Sequence, residues 1–285
     1  MVRYWLKQTL AALAFVTTAG LAGVSVAQDP DPQSLLQDMQ RALVPVTAQL
    51  SRVHIAAHSD QPGGGSKTWD ALVLRLRDDD GPHTAFSLEA PAELKGAGIL
   101  TAPHPHKPNL GLWLYAPEER RAVENSPLEA DRQFLSTRFN FEDLGFTARD
   151  TQPPVLLGSD HRGQQTLWKV ETRPIIDRYY SRMVTWIADD TRLPVKREYY
   201  DRAEKLWKVV DYRAQLVDGV PTLMAIELKD VQSRDVATWR VEAIAYVHEP
   251  LDQKILSPAR LGDLPKHEFW SKLERVKQGT LPREN

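Results

Sequence analysis

The sequence predicts a mainly β domain with some α: one large antiparallel sheet, curled or closed, with few helices. Three observations predict it. From Lys67 onward, segment after segment of strand length alternates in side-chain character, as in "KTWDALVLRLR". Turn signals such as "DDDGPH", "DDTRLP", "DRAE" and "VDGVP" separate these segments at hairpin spacing. There are no cysteines, so an apolar core and not disulfides must hold the fold.

The elements follow in order. Arg3 and Lys7 precede a mostly apolar run, Leu10 to Val26, that ends in the small-residue triplet Ser25-Val26-Ala27. This pattern predicts a cleavable signal peptide over 1–27, cut after Ala27, and a periplasmic location. With no cysteine to carry a lipid at a new N-terminus, the exported chain is expected to be soluble. Residues 28–66 predict an N-terminal helix, a first strand and a flexible loop. Leu35, Leu36, Met39 and Leu43 fall near one helical face, and Pro45 ends the helix. "SRVHIAAHS" is the strand and "DQPGGGSK" the loop, whose glycines lack the Gly-Lys-Ser/Thr ending of a phosphate-binding loop.

Residues 67–264 predict the main domain, with roughly ten or eleven strands in the whole chain. In "KTWDALVLRLR", Leu72, Leu74 and Leu76 alternate with Trp69, Ala71 and Val73. Both faces are apolar there, which predicts a sheet covered on both sides for part of its length. Residues 127–150 break the rhythm with short helical pieces. Asn140 is placed to cap one, with Glu142 and Asp143 in its first turn. Ser257 and Pro258 open another. Residues 265–285 predict a C-terminal amphipathic helix and tail, with Phe269, Leu273 and Val276 in register.

Charge narrows the function. The chain carries 36 Lys and Arg against 38 Asp and Glu, a net −2, and loss of Arg3 and Lys7 with the leader takes it to −4. That is no footprint for nucleic acid and no polybasic membrane signal. His104 and His106 share the loop "HPH", where solvation is the simpler reading than metal binding. His267-Glu268 starts like a metalloprotease helix, but Ser271 stands where the second histidine is required. Ser159, Asp160 and His161 are adjacent and read as a turn, because a triad needs groups from separate segments. No catalytic residues, metal ligands or cofactor are expected.

What remains is apolar. Trp69, Phe86, Trp113, Tyr115, Trp168, Trp186, Trp207 and Trp239 all lie in predicted strands. They fill a core, or they line a partly open hollow. Each acyl methylene buried in such a hollow is worth about 0.8 kcal/mol, so a chain of about sixteen carbons gains on the order of 10 kcal/mol.

The order of segments carries a resemblance. "FSLEAPAELKGAGIL", "LWLYAPEERRAV", "RFNFEDL", "YYSRMVTWIADDTRLPVKREYYDRAEKLWKVVDY" and "SPARL" follow one another between Lys67 and Leu264. Phe86, Pro91 and Gly96 fit a hairpin. Trp113, Tyr115 and Pro117 fit a strand and turn, and Phe141, Glu142, Asp143 and Leu144 an Glu-Asp-Leu segment. Trp186, Ile187, Asp189, Pro194, Glu198, Tyr200, Asp201 and Lys208 fit a strand-turn-strand ladder. In this the sequence resembles the outer-membrane lipoprotein-sorting proteins, of LolA/LolB-like fold. The part before Lys67 matches less clearly, and "TAPHPHKPN" resembles an altered hairpin tip.

The resemblance implies a curved antiparallel sheet forming a half-open β-barrel around a helical plug, with a hollow for acyl chains. It implies lipid or lipoprotein acyl chains as cargo, and an inner-membrane transporter and an outer-membrane acceptor as partners. The cavity residues expected are Trp69, Phe86, Trp113, Tyr115, Trp186 and Leu206. Trp113 and Tyr115 share one strand face and Leu112 and Leu114 the other; which pair faces inward is open. The leading function is a soluble periplasmic carrier or chaperone for lipids or lipoproteins. The alternatives are a non-enzymatic accessory subunit of an envelope export or assembly complex, and a hydrolase acting on a bound lipid.

Overall fold

The computed structural model describes residues 29–107, 110–125, 133–146, 151–175 and 179–276. The leader read at 1–27 lies outside them. Among the described residues no helix is long and apolar enough to cross a membrane.

A single curved, unclosed sheet of thirteen strands dominates. The strands are β1 (Ala48–Ser59), β2 (Gly65–Arg77), β3 (Pro82–Ala90), β4 (Gly98–Pro103), β5 (Leu110–Ala116), β6 (Arg121–Asn125) and β7 (Val155–Arg162). Then come β8 (Gln165–Thr172), β9 (Arg182–Ala188), β10 (Pro194–Tyr200), β11 (Leu206–Val217), β12 (Val220–Asp230) and β13 (Val236–Val247). Their spatial order is β6-β5-β4-β3-β2-β1-β13-β12-β11-β10-β9-β8-β7. The chain thus zigzags from the centre to one edge, crosses to the opposite edge and zigzags back. The last strand closes on the first, with Ala48 opposite Val247.

The strand not foreseen is β7. The stretch Ser159-Asp160-His161, read as a turn, belongs to this edge strand. Gly158 has a positive φ of 108° and the register shifts between Leu156 and Gly158, so a β-bulge gives the strand a turn-like composition.

Residues 133–146, between β6 and β7, pack on one face of the sheet and supply half of the plug. Helix α1 (Pro32–Leu43) supplies the other half. The Asp31 side chain accepts a hydrogen bond from the Ser34 amide at 2.8 Å, and Pro32 opens the first turn. Leu35, Met39 and Leu43 are its buried stripe, and the helix stops short of Pro45. From the crossover, Phe134, Phe139, Phe141, Leu144 and Phe146 pack on Val53, Ala71, Val73, Phe86, Ile226 and Trp239. The rings meet largely edge-on or tilted, with Phe86 and Phe134 centroids 5.2 Å apart.

The opposite face is divided. Behind β1–β5 it is apolar, and the C-terminal segment covers it: Leu261, Leu264, Phe269, Trp270 and Leu273 pack on Leu50, Leu72, Leu74, Leu100 and Trp113. This cover differs from the continuous helix expected. It is a series of 3-10 turns, one containing Pro265, followed by the short helix α2 (Ser271–Val276). Residues 277–285 lie outside the described set. Behind β7–β12 the face is charged, with ion pairs Lys169–Asp160 at 3.1 Å and Lys196–Glu198 at 2.6 Å. Partly exposed pairs of this kind stabilise little. They mark a solvated surface.

Candidate lipid-binding cavity

A cavity of about 310 Å³ lies between the crossover segment and the β3–β6 wing. Successive residues of a strand point to opposite faces, so alternate positions of adjacent strands build its wall. One cross-strand row runs Phe86, Ile99, Leu114, Val123 across β3 to β6. Leu88 and Leu112 flank that row, and Phe134, Leu135 and Phe141 close the cavity from the plug. Asn125 and Gln133 bring polar groups to its border. Leu114 is 37% exposed and Val123 42%, so an apolar lip continues to the sheet edge. The volume falls at the lower end of the roughly 300–1,000 Å³ usual for small-ligand sites.

The six residues expected from the sequence do not converge on this cavity. Phe86 borders it, and so does Tyr115. The Tyr115 ring, however, reaches the C-terminal segment, where a Cβ on Gly262 would overlap it. Trp69 is buried on the plug face, in the same cluster as Phe86, without bordering the cavity. Trp113 is buried on the opposite face, beneath the C-terminal cover. Trp186 also lies opposite the plug; its indole N–H donates to Asp160 at 2.8 Å and the Lys196 ammonium sits 5.0 Å from its ring centre. Leu206 is half-buried at the start of β11, opposite Tyr200. The open choice on β5 is thereby decided: Leu112 and Leu114 face the plug, and Trp113 and Tyr115 face the cover.

His104 also departs from expectation. Its side chain is only 9% exposed, stacks on Trp113 at 5.9 Å, and lies 3.2 Å from Glu124. It packs the hairpin tip against the sheet. Among the described residues no group of three His, Cys, Asp or Glu is placed to hold a metal ion.

The plug is pinned by a buried polar seam that sequence reasoning saw only as a helix start. Asn140 and Asp143 bond reciprocally: the Asp143 amide donates to Asn140 Oδ1 at 2.8 Å, and the Asn140 amide to Asp143 Oδ2 at 2.9 Å. This is capping-box chemistry in a turn, not at the start of a helix. Asp143 also accepts from the Lys208 ammonium at 2.7 Å and the Tyr199 hydroxyl at 2.6 Å. Arg197 donates to the Glu142 carbonyl at 2.8 Å, and Arg75 to the Leu144 carbonyl at 2.6 Å. Burial opposes the Arg197 charge, but Tyr212, Tyr199, Glu142 and Asp143 outweigh it and push its pKa up. Burial pushes the Tyr199 hydroxyl well above its usual range as well.

Glu142 gives a pH prediction. Burial raises its carboxyl pKa above the usual value, more than Arg197 lowers it. A raised folded-state pKa means that the folded chain holds a proton the unfolded chain has released. The associated stability is complete below about pH 4.5, the ordinary glutamate value, and is lost as pH rises through the folded-state pKa. Glu142→Gln keeps the acceptor for the Tyr180 hydroxyl, which lies 3.1 Å from Glu142 Oε2, and removes the titration. The variant should gain on wild type in urea midpoint from pH 4 to pH 7; a constant difference across that range would contradict the buried-carboxyl account.

A family model described as an uncharacterized protein matches residues 81–263. No curated protein matches the chain. Among solved structures, an outer membrane lipoprotein-sorting protein domain from Vibrio parahaemolyticus superposes with a TM-score of 0.67 at 18% identity, covering 81% of this chain and 98% of that one. A DUF1329 family protein from Desulfovibrio piger gives 0.66 at 19% identity, covering 81% and 100%. A LolA superfamily protein from Nitrosomonas europaea gives 0.60 at 18% identity, covering 80% and 98%. The chain belongs to the family whose model spans residues 81–263, and its fold is that of the LolA-like lipoprotein-sorting structures.

Proposed function

We propose that this protein is a non-catalytic periplasmic carrier that shields an acyl chain, of a lipid or a lipoprotein, in the cavity beneath the β3–β6 wing. The observation that supports this reading best is the continuity of apolar surface from the buried wall (Phe86, Ile99, Leu112) to the exposed lip (Leu114, Val123). Among the described residues that line this cavity none is charged. Phe86 and Tyr115 border the cargo in this proposal, Trp69 and Trp113 pack in the core clusters on either face of the same part of the sheet, and Trp186 and Leu206 lie apart from it. The leader expected at 1–27 would deliver the chain to the periplasm. A donor in the inner membrane and an acceptor in the outer membrane are the partners such a carrier needs.

A second reading has its own observation. The centre of the hollow is filled by Phe134, Phe139, Phe146 and Trp239, all nearly inaccessible. A plug packed this well also suits an accessory subunit that offers its surface and carries nothing. Lipid mass spectrometry of protein purified from periplasm without detergent separates the two. The carrier reading expects a co-purifying lipid or acylated peptide near one per chain. Protein that is empty, and that also fails to take up a fluorescent fatty acid, leaves the accessory reading.

A further inference from the structure

A second cavity, of about 140 Å³, lies between α1 and the strands β3–β5 and β8–β10. It is distinct from the apolar cavity. Along the plug face of β3, Pro82 and Thr84 border the smaller cavity and Phe86 and Leu88 the larger. The smaller wall is mixed: Leu36, Met39 and Leu43 from α1 face Thr84, Thr101, Thr172 and Arg197 from the sheet.

Its polar groups are incompletely used. Arg197 is only 3% exposed, and its Nε has no hydrogen-bond partner among the described residues. Its Nη1 is engaged by the Glu142 carbonyl, and Nη2 lies 3.9 Å from the Met39 sulfur. On the Nε–Nη2 edge, the side that grips a carboxylate with two parallel bonds, the Nε–H therefore has no partner among the described residues, while the Tyr212 hydroxyl also engages the guanidinium. The Thr172 hydroxyl, in the cavity wall, is buried and unpartnered among the described residues as well, and so is that of Thr185, the cross-strand partner of Arg197 outside the wall. Buried donors left unpaired in this way call for an occupant. The charge balance points to its sign. Lys208 and Asp143 neutralise each other at 2.7 Å. That leaves Arg197 and Arg75 with Glu142, whose carboxyl burial shifts toward the neutral form.

We propose that this cavity is a binding site for a small carboxylate, held by the Nε–Nη2 edge of Arg197 and the Thr172 hydroxyl, with its short apolar body against Leu36, Met39 and Leu43. A cavity of about 150 Å³ holds benzene, so the ligand has about six non-hydrogen atoms, the size of butyrate. The proposal stands whether or not the larger cavity takes an acyl chain.

The test is a titration of the intact protein with sodium butyrate, followed through the arginine Nε–H resonances by NMR. One such resonance, absent from Arg197→Lys, should shift downfield and saturate at millimolar butyrate; butyramide, neutral and of the same size, should leave it in place. Because Arg197→Lys could disturb the plug, Thr172→Val provides the second arm. It removes one orphaned hydroxyl at constant shape, and should weaken butyrate at least tenfold while the protein stays folded. If butyrate and butyramide act alike, or the Arg197 resonance does not move, the cavity holds only water and the proposal is wrong. Unchanged affinity in a folded Thr172→Val protein would also overturn it.

Discussion

Asp143→Ala is expected to destabilise the protein by about 3–5 kcal/mol, the cost of stripping one partner from a buried ion pair. The Asp143 and Lys208 side chains are 0% and 1% exposed, so water cannot replace the lost carboxylate. The same change removes the acceptor for the Tyr199 hydroxyl and for the Asn140 amide. Lys208→Met should cost less than Asp143→Ala, because Asp143 keeps Tyr199 and the Asn140 amide as donors. The double variant Asp143→Leu/Lys208→Met should recover much of the loss, since an apolar pair of similar volume is often as stable as a buried ion pair. Urea unfolding of the four proteins checks this. Equal and additive losses would show that the pair does not act as a unit.

The second large effect concerns cargo. Leu114→Glu with Val123→Glu should lower the affinity for a fluorescent fatty acid at least tenfold while leaving the melting temperature close to wild type. Both side chains are partly exposed and face each other across β5 and β6, so they stabilise the fold modestly. They also form the apolar lip of the larger cavity. Two carboxylates there must be desolvated before a chain can pass. Trp113→Asp is the instructive contrast. Trp113 lies beneath Leu261 and Leu264 on the covered face, so this change should unfold the protein, and any loss of uptake would follow from that. Full uptake by a folded Leu114→Glu/Val123→Glu protein would move the entrance elsewhere.

The fold was largely legible because alternation and turn residues report strands directly. α1 was readable from its buried stripe at Leu35, Met39 and Leu43. The strand β7 was not, because its bulge at Gly158 and its polar "SDHR" end have the composition of a turn. The cavity was harder for a physical reason. The C-terminal segment makes the back of β1–β5 as apolar as the front, so "LGLWLYA" offers two equally greasy faces. Aromatic size favoured Trp113 and Tyr115, but the register Phe86–Ile99–Leu114 puts the leucines on the plug side. Register across two hairpins depends on turn lengths that periodicity does not supply. The polar seam was visible as Glu142 and Asp143; its partners Arg197, Tyr199 and Lys208 lie on strands more than fifty residues later.

The chain order of the sheet has a consequence for how the molecule is made. Two wings of successive hairpins, β2–β6 and β7–β12, can each assemble from local contacts as they emerge. The ladder that joins them pairs Ala48 with Val247 and waits for nearly the whole chain. Contacts of such sequence separation form slowly. Until β13 arrives, β1 exposes an open edge between two half-built sheets, which is the kind of surface that aggregates. The vulnerable interval is therefore the one before the last strand is complete, and protection of that one edge governs the yield of folded protein.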